Sequence, residues 1–284
     1  MIASWIQKIY LKRLKALCNK PTNKITAIHS MVCHADVLRY LVAIYSLLRN
    51  CQTIPKIIVH DDGTLTKHDY QMISIIPNVS LITPQQADRR AKRVFRHHRR
   101  LLKYRQLSAF NKKLIHSLLF KNTFQQTLLL DSDVVFFRYP EEIIDFFVQR
   151  KKTNPIYLQD IKNAYITNRK ALRTLFHINV LPRVNSGLLG FQTKILTLKF
   201  VSGFYSTLDR TIWNSPPHDP WIEQTAFAIL ISRYTPQKLS TRYYLGSNKT
   251  PSYAICRHYV QGTRKYYLFD VLSWELKRLL GYEN

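Results

Sequence analysis

The run Leu128-Leu129-Leu130-Asp131-Ser132-Asp133-Val134-Val135-Phe136-Phe137 constrains this chain more than any other feature. Three leucines before it and four large apolar residues after it belong in a core, yet two carboxylates stand one residue apart between them. Neither can be buried as a bare charge; each needs a cation or hydrogen-bond donors. A buried strand over residues 127–130 resolves the conflict by delivering Asp131 at its carboxyl end. In open α/β sheets that end is where ligands bind. On a turning strand end, Asp-x-Asp lets both carboxylates converge on one hard divalent ion. Mg²⁺ or Mn²⁺ takes one or two protein carboxylates and completes its shell with substrate phosphates and water. The plainer reading is a turn in which Asp131 or Asp133 caps a helix. Acids are scarce, 17 in 284 residues, so a pair set inside apolar runs calls for the metal reading.

The surrounding pattern supports such a sheet. Residues 24–31 read as a strand, 35–48 as a helix, and 56–60 as a buried strand ended by Asp61-Asp62-Gly63. A helix over 66–76 and a short strand over 79–82 follow, and residues 88–120 read as helix in two pieces. Further along, 155–158, 186–191 and 253–260 are strand candidates, and 196–207 and 221–232 helical ones. Alternation of this kind predicts an α/β fold with a mixed, mainly parallel sheet and helices on both faces. No repeat or Pro/Gly/Ser-rich linker divides the chain. We therefore expect an amphipathic basic helix over 1–20 and a single domain over 21–284, long enough to bury roughly three quarters of its unfolded surface.

Charge narrows the partners. The chain carries 43 Lys+Arg against 17 Asp+Glu, a net of +26, which predicts an acidic partner: nucleic acid, anionic lipid or anionic glycan. No carboxylate lies between Asp88 and Asp131, while Arg89, Arg90, Lys92, Arg93, Arg96, Arg99, Arg100, Lys103 and Arg105 fall in that interval. One-signed runs repel themselves and tend to serve an anionic partner. Without interleaved aromatics or an RNP or zinc-finger motif, the sequence argues against nucleic acid. No run of about 18 apolar residues spans a membrane. Residues 1–20 instead combine Trp5, Ile6, Ile9 and Leu14 with Lys8, Lys12, Arg13, Lys15 and Lys20, the composition of an interfacial helix. The expected location is cytoplasmic, peripheral on the inner face of the membrane. The four cysteines show no CxxC or metal spacing, in keeping with reduced thiols.

At this point the residues resemble a known family. The Asp131-Ser132-Asp133 strand end is similar to that of GT-A-fold glycosyltransferases, in particular the family-eight group that includes glycogenin and bacterial lipopolysaccharide hexosyltransferases. Three further stretches resemble that family in order: Lys113-Leu114, Asn185-Ser186-Gly187-Leu188-Leu189, and His258-Tyr259-Val260-Gln261-Gly262-Thr263-Arg264-Lys265. The last compares with the family's closing His-Phe-x-Gly-x-x-Lys, with one extra residue between His258 and Gly262 and no Pro-Trp after Lys265. The resemblance implies a GT-A-like, Rossmann-type fold. It also implies a metal held by Asp131, Asp133 and His258. Lys113 would face the donor, Asn185 and Gly187 would lie beside the donor sugar, and Gly262 and Lys265 would wrap the diphosphate.

Other candidates are open. Glu223 opens an apolar helix and resembles in position the family's Asp-Gln pair; it is a general base, an orienting group, or an acid favoured by the helix dipole. Asp219 is its rival. Asp61 is a turn residue or a nucleoside contact, and Arg105 is surface charge or a donor-phosphate ligand. The expected reaction moves a hexose from a nucleoside diphosphate sugar, UDP-linked by resemblance, to a hydroxyl of a glycan or glycolipid, with Mn²⁺ or Mg²⁺ required. The alternatives are a basic nucleic-acid-binding protein and a metal-dependent nucleotidyltransferase.

Overall fold

The computed structural model describes residues 2–121, 124–149, 154–211 and 221–282. Helix α1 (Ile2–Ala16) precedes β1 (Thr22–Val32), and α2 (Val37–Leu48), β2 (Ile54–Asp61), α3 (Lys67–Ile73) and β3 (Val79–Ile82) alternate after it. Three helices follow, α4 (Pro84–Val94), α5 (Arg99–Leu107) and α6 (Ala109–Leu119), then β4 (Gln126–Leu130) and β5 (Val134–Phe136). The remainder is α7 (Glu141–Val148), β6 (Ile156–Gln159), α8 (Arg169–Phe176), β7 (Val184–Gln192), α9 (Leu198–Thr211), α10 (Ile222–Ile231), β8 (Gln237–Lys238), β9 (Tyr243–Tyr244), β10 (Cys256–His258) and α11 (Tyr267–Leu279).

Seven strands form one sheet in the order β3-β2-β1-β4-β7-β6-β8. Only β7 runs against its neighbours, antiparallel to both β4 and β6, so the sheet is mixed and mainly parallel as expected. A small second sheet, β5-β10-β9, stands at the carboxyl end of β4. Alternation of side chains splits the core in two. Leu128 and Leu130 join α1, α2, α3, α7 and α11 on one face, while Leu129 joins α4, α5, α6 and α8–α10 on the other. That two-sided burial is why the Leu128–Leu130 run has no polar residue until the strand ends.

Some expectations need correction. The 88–120 stretch is three helices, because Ser108 is extended and its Oγ accepts from the Asn111 N–H at 3.1 Å, capping α6 and ending α5. Of residues 253–260 only Cys256–His258 form a strand, where β5 supplies antiparallel partners. Helix α1 docks on the domain: Ile6, Tyr10 and Leu14 are buried, and Tyr10 Oη and Arg13 both donate to Glu275 of α11. Trp5 stays 45% exposed.

Three histidines, His29 of β1, His60 of β2 and His116 of α6, are buried together; His29 Nδ1 and His60 Nε2 lie 3.1 Å apart. Burial pushes the His29 and His116 imidazoles down to about 3, with Arg105 adding to the effect on His116. An unfolded chain protonates them below their ordinary value of 6.5 and the folded one only near 3, so the unfolded state binds more protons between those values. This contribution to stability is complete above pH 6.5 and is lost as the pH falls towards 3. The melting temperature should fall with acidification across this window, less steeply in His29→Phe. An identical slope in that variant would assign the acid sensitivity to other groups.

Candidate active site

The carboxyl end of the parallel strands opens into a cavity of ≈ 480 Å³. Asp131 leaves β4 there, and the turn returns as β5 with Asp133 just before it. Pairing of β5 with β10 sets His258 opposite Val134, next to Asp133. Ligand atoms of Asp131, Asp133 and His258 all lie within 4.8 Å of one another. His258 Nε2 is 3.2 Å from Asp133 Oδ1 and 3.7 Å from Asp131 Oδ2. Its Nδ1 is 3.0 Å from Asn185 Oδ1, an acceptor that fixes the proton on Nδ1 and turns the Nε2 lone pair towards the carboxylates. Two carboxylate oxygens and one aimed imidazole nitrogen suit a divalent ion such as Mg²⁺ or Mn²⁺ with open positions for substrate oxygens.

Gly187 makes that convergence sterically feasible. A Cβ there would come 2.3 Å from His258 Cε1 and 2.8 Å from Asp131 Oδ2, so β7 passes the cluster only without a side chain. The strand also holds Asn185, whose Nδ2 donates to Asp160 Oδ2 at 3.0 Å, and Ser186, whose Oγ donates to Glu223 Oε1 at 2.9 Å.

Lys113 of α6 is buried between two acids, 2.7 Å from Asp131 Oδ1 and 3.0 Å from Glu223 Oε1. Burial opposes its charge, but Asp131 and Glu223 outweigh burial and raise the ammonium pKa. Glu223, in the first turn of α10, is raised chiefly by burial, with Lys113 pulling the other way. Its Oε2 is buried at the cavity wall with no hydrogen-bond partner among the described residues, an acceptor available to a ligand hydroxyl. Asp133 is held low despite its burial by His258 and by Arg264, whose Nη2 lies 2.9 Å from Asp133 Oδ2.

The other expected residues lie apart. Asp61 accepts from Gly63 N at 2.6 Å, Leu65 N at 3.3 Å and Tyr70 Oη at 2.5 Å, the turn role; its neighbour Asp62 lines the cavity instead. Arg105 is bound to His116 and Asp88 and does not line the cavity. Gly262 is exposed with open space about it, and the Lys265 ammonium sits over the Tyr266 ring at 5.1 Å. From this closing stretch the cation that lines the cavity is Arg264, six residues after His258, which is the His-to-Lys spacing of the motif that the extra residue obscured. Asp219 lies outside the described residues. Missed by the sequence reading were Arg264, Asp160, Gln224 and Asp36, which accepts from Ser132 Oγ at 3.0 Å.

Solved structures with this architecture decide the fold. The WbbM bifunctional glycosyltransferase superposes with a TM-score of 0.58 at 13% identity over 86% of this chain and 47% of its own. The fold is that of GT-A glycosyltransferases. Mouse xyloside xylosyltransferase 1 gives 0.52 at 12% identity (86% of this chain, 99% of that one). The galactosyltransferase LgtC, in the form of an active-site mutant, gives 0.53 at 12% (83% and 87%). This chain spans about half the length of WbbM. No family model and no curated relative matches the sequence. Within this GT-A fold, the Asp131–Asp133–His258 cluster lies at the carboxyl end of β4, beside the antiparallel strand β7.

Proposed function

We propose that this protein is a divalent-metal-dependent hexosyltransferase that takes a nucleoside diphosphate sugar, UDP-linked, and transfers the hexose to a hydroxyl of a glycan or glycolipid. The observation that carries this reading is the convergence of Asp131, Asp133 and His258 within 4.8 Å, flanked by the cations Lys113 and Arg264. Cleaving a sugar–diphosphate bond leaves charge on a phosphate oxygen, so the largest catalytic contribution is electrostatic. Mn²⁺ or Mg²⁺ bound to the three ligands supplies Lewis-acid stabilisation of that charge. Arg264, 45% exposed at the cavity rim, provides a fixed fork of donors for phosphate oxygens. Asp160, Asn185, Gln224 and Glu223 form a hydrogen-bonded wall suited to sugar hydroxyls. Glu223 is bonded to Lys113 and Ser186, which holds it as an orienting acceptor for the hexose.

Relatives in fold lend support. LgtC has been solved with donor and acceptor sugar analogues, and core-mannan synthase A from Aspergillus fumigatus in an Mn/GDP form (TM-score 0.50, 10% identity, 76% of this chain and 74% of that one). The acceptor is read as anionic from the α4–α5 surface, where Arg89, Lys92, Arg93, Arg99 and Lys103 are exposed without an ion pair among the described residues.

A panel of nucleotide sugars, assayed for metal-dependent donor hydrolysis, tests the reading: one UDP-hexose should be hydrolysed and EDTA should stop it. No hydrolysis of any donor with Mn²⁺ or Mg²⁺ present would refute it. Arg264→Ala should weaken UDP about tenfold or more while uridine binding holds, since a charge-assisted phosphate contact contributes about 1.5–3 kcal/mol. Lys265→Ala should leave both unchanged. The reverse pattern would return the diphosphate role to Lys265.

A further inference from the structure

Helix α11 exposes an unusual amount of apolar surface. Its inward side, Val271, Trp274 and Glu275, is buried, while Leu268, Leu276, Leu279 and Leu280 are 46%, 58%, 70% and 60% exposed. With the partly buried Leu272 these fall at spacings of four, four and three or four residues, one continuous stripe along the helix. The stripe borders α1. Glu275, which accepts from Tyr10 and Arg13, sits one turn from both Leu272 and Leu279. On α1, Trp5, Ile9 and Arg13 repeat every four residues, so the exposed Trp5 lies on the flank that Arg13 turns to α11.

We infer that the leucine stripe of α11, together with Trp5 of α1, is the surface that docks this protein on an anionic lipid bilayer. Charge selects this occupant. Lys8 and Lys12 are exposed beside Trp5 and Ile9, Lys277 is exposed in the last turn of α11, and neither helix presents an acid outward. Asp270 and Glu275 are turned in to Tyr259 and Tyr10. A second copy would set these lysines against their own counterparts in a chain of net charge +26, whereas acidic headgroups would neutralise them. Helix α1 alone cannot serve, because Ile6, Tyr10 and Leu14 are held in the core. The basic α4–α5 surface covers the opposite face of the sheet from α1 and α11. Position gives the docking a use: the turn Gln261–Tyr266, which carries Arg264 in the cavity, runs directly into α11, so Leu268 follows Arg264 by four residues. A bilayer at this stripe would bring a lipid-linked acceptor to the cavity mouth, a consequence that rests on the transferase reading above.

The test is co-sedimentation of the full chain with vesicles of phosphatidylcholine, with and without phosphatidylglycerol. Wild type should bind the anionic vesicles, and Leu276→Gln/Leu279→Gln should lose about tenfold or more in partitioning, with its melting temperature and its donor hydrolysis in solution unchanged. Arg93→Gln/Arg96→Gln, on the other face, should retain most of the binding. Tryptophan fluorescence of the wild type should be quenched by brominated anionic lipid, and less so in Trp5→Phe, a readout that needs no change in α11. Vesicle binding unaltered by the leucine substitutions, or abolished by the arginine ones alone, would overturn the assignment. So would a dimer in solution that the leucine substitutions dissolve, which would give the stripe to a second copy. Failure of donor hydrolysis in the wild type would strike the transferase reading and leave the docking result to stand on vesicles alone.

Discussion

Asp133→Ala should lower metal-dependent turnover by roughly two to four orders of magnitude and leave the protein folded. Asp133 offers one of the three candidate ligand atoms, and it also pairs with Arg264 at 2.9 Å. Folding survives its loss because both of its partners keep a second acid, Asp131 at 3.7 Å from His258 and Asp36 at 3.8 Å from Arg264. The backbone carbonyl that accepts from Tyr259 N remains as well. Activity titrated with Mn²⁺ and thermal melting, run on the same preparation, check both halves. Wild-type turnover at limiting Mn²⁺ would contradict the ligand assignment.

Lys113→Met should be the most damaging single change to stability in the site, costing about 3–5 kcal/mol. Removing a buried cation leaves Asp131 and the buried Glu223 facing each other without the ammonium that bridged them, and the Ser186 hydroxyl on Glu223 carries no charge to replace it. Glu223, already raised by burial, would rise further and take up a proton. Adding Glu223→Gln to Lys113→Met should therefore recover much of the stability but none of the activity, since the cation and the carboxylate lining the cavity are then both gone. Urea unfolding and donor hydrolysis of the three variants separate the two roles. If Lys113→Met melted like wild type, the Lys113–Glu223 pair would have to be far more solvated than its geometry indicates.

Residues were legible in the sequence where local chemistry was in conflict. Asp131 and Asp133 stood out because carboxylates rarely interrupt a run of buried apolar residues, and the alternation of strands and helices announced the sheet that presents them. Lys113, Asn185, Gly187, Glu223 and His258 were found through short motifs whose order resembles that of family-eight glycosyltransferases, and all five line the cavity. Arg264 was hidden by abundance, since nothing local distinguishes it among 43 Lys and Arg, and by the extra residue that drew attention to Lys265. Asp36 and Asp160 follow the ends of β1 and β6, and they converge on the cavity only once the order β1-β4-β7-β6 is known. Asp61 and Asp62 differ by one position at a strand end. Side chains alternate there, and the outcome depends on which of them the Tyr70 hydroxyl and the turn amides claim. Helix α1 read as interfacial because its apolar residues follow a helical period whether they face lipid or a core; only packing against α2 shows that Ile6 and Leu14 face the core.

Calorimetric titration of UDP into the protein, with Mn²⁺ and again after EDTA, tests the central claim most directly. The account predicts saturable binding with Mn²⁺, its loss with EDTA, and its loss in Asp133→Ala even with Mn²⁺ present. UDP binding that is indifferent to metal, or no UDP binding beside tight, salt-sensitive RNA binding, would contradict it.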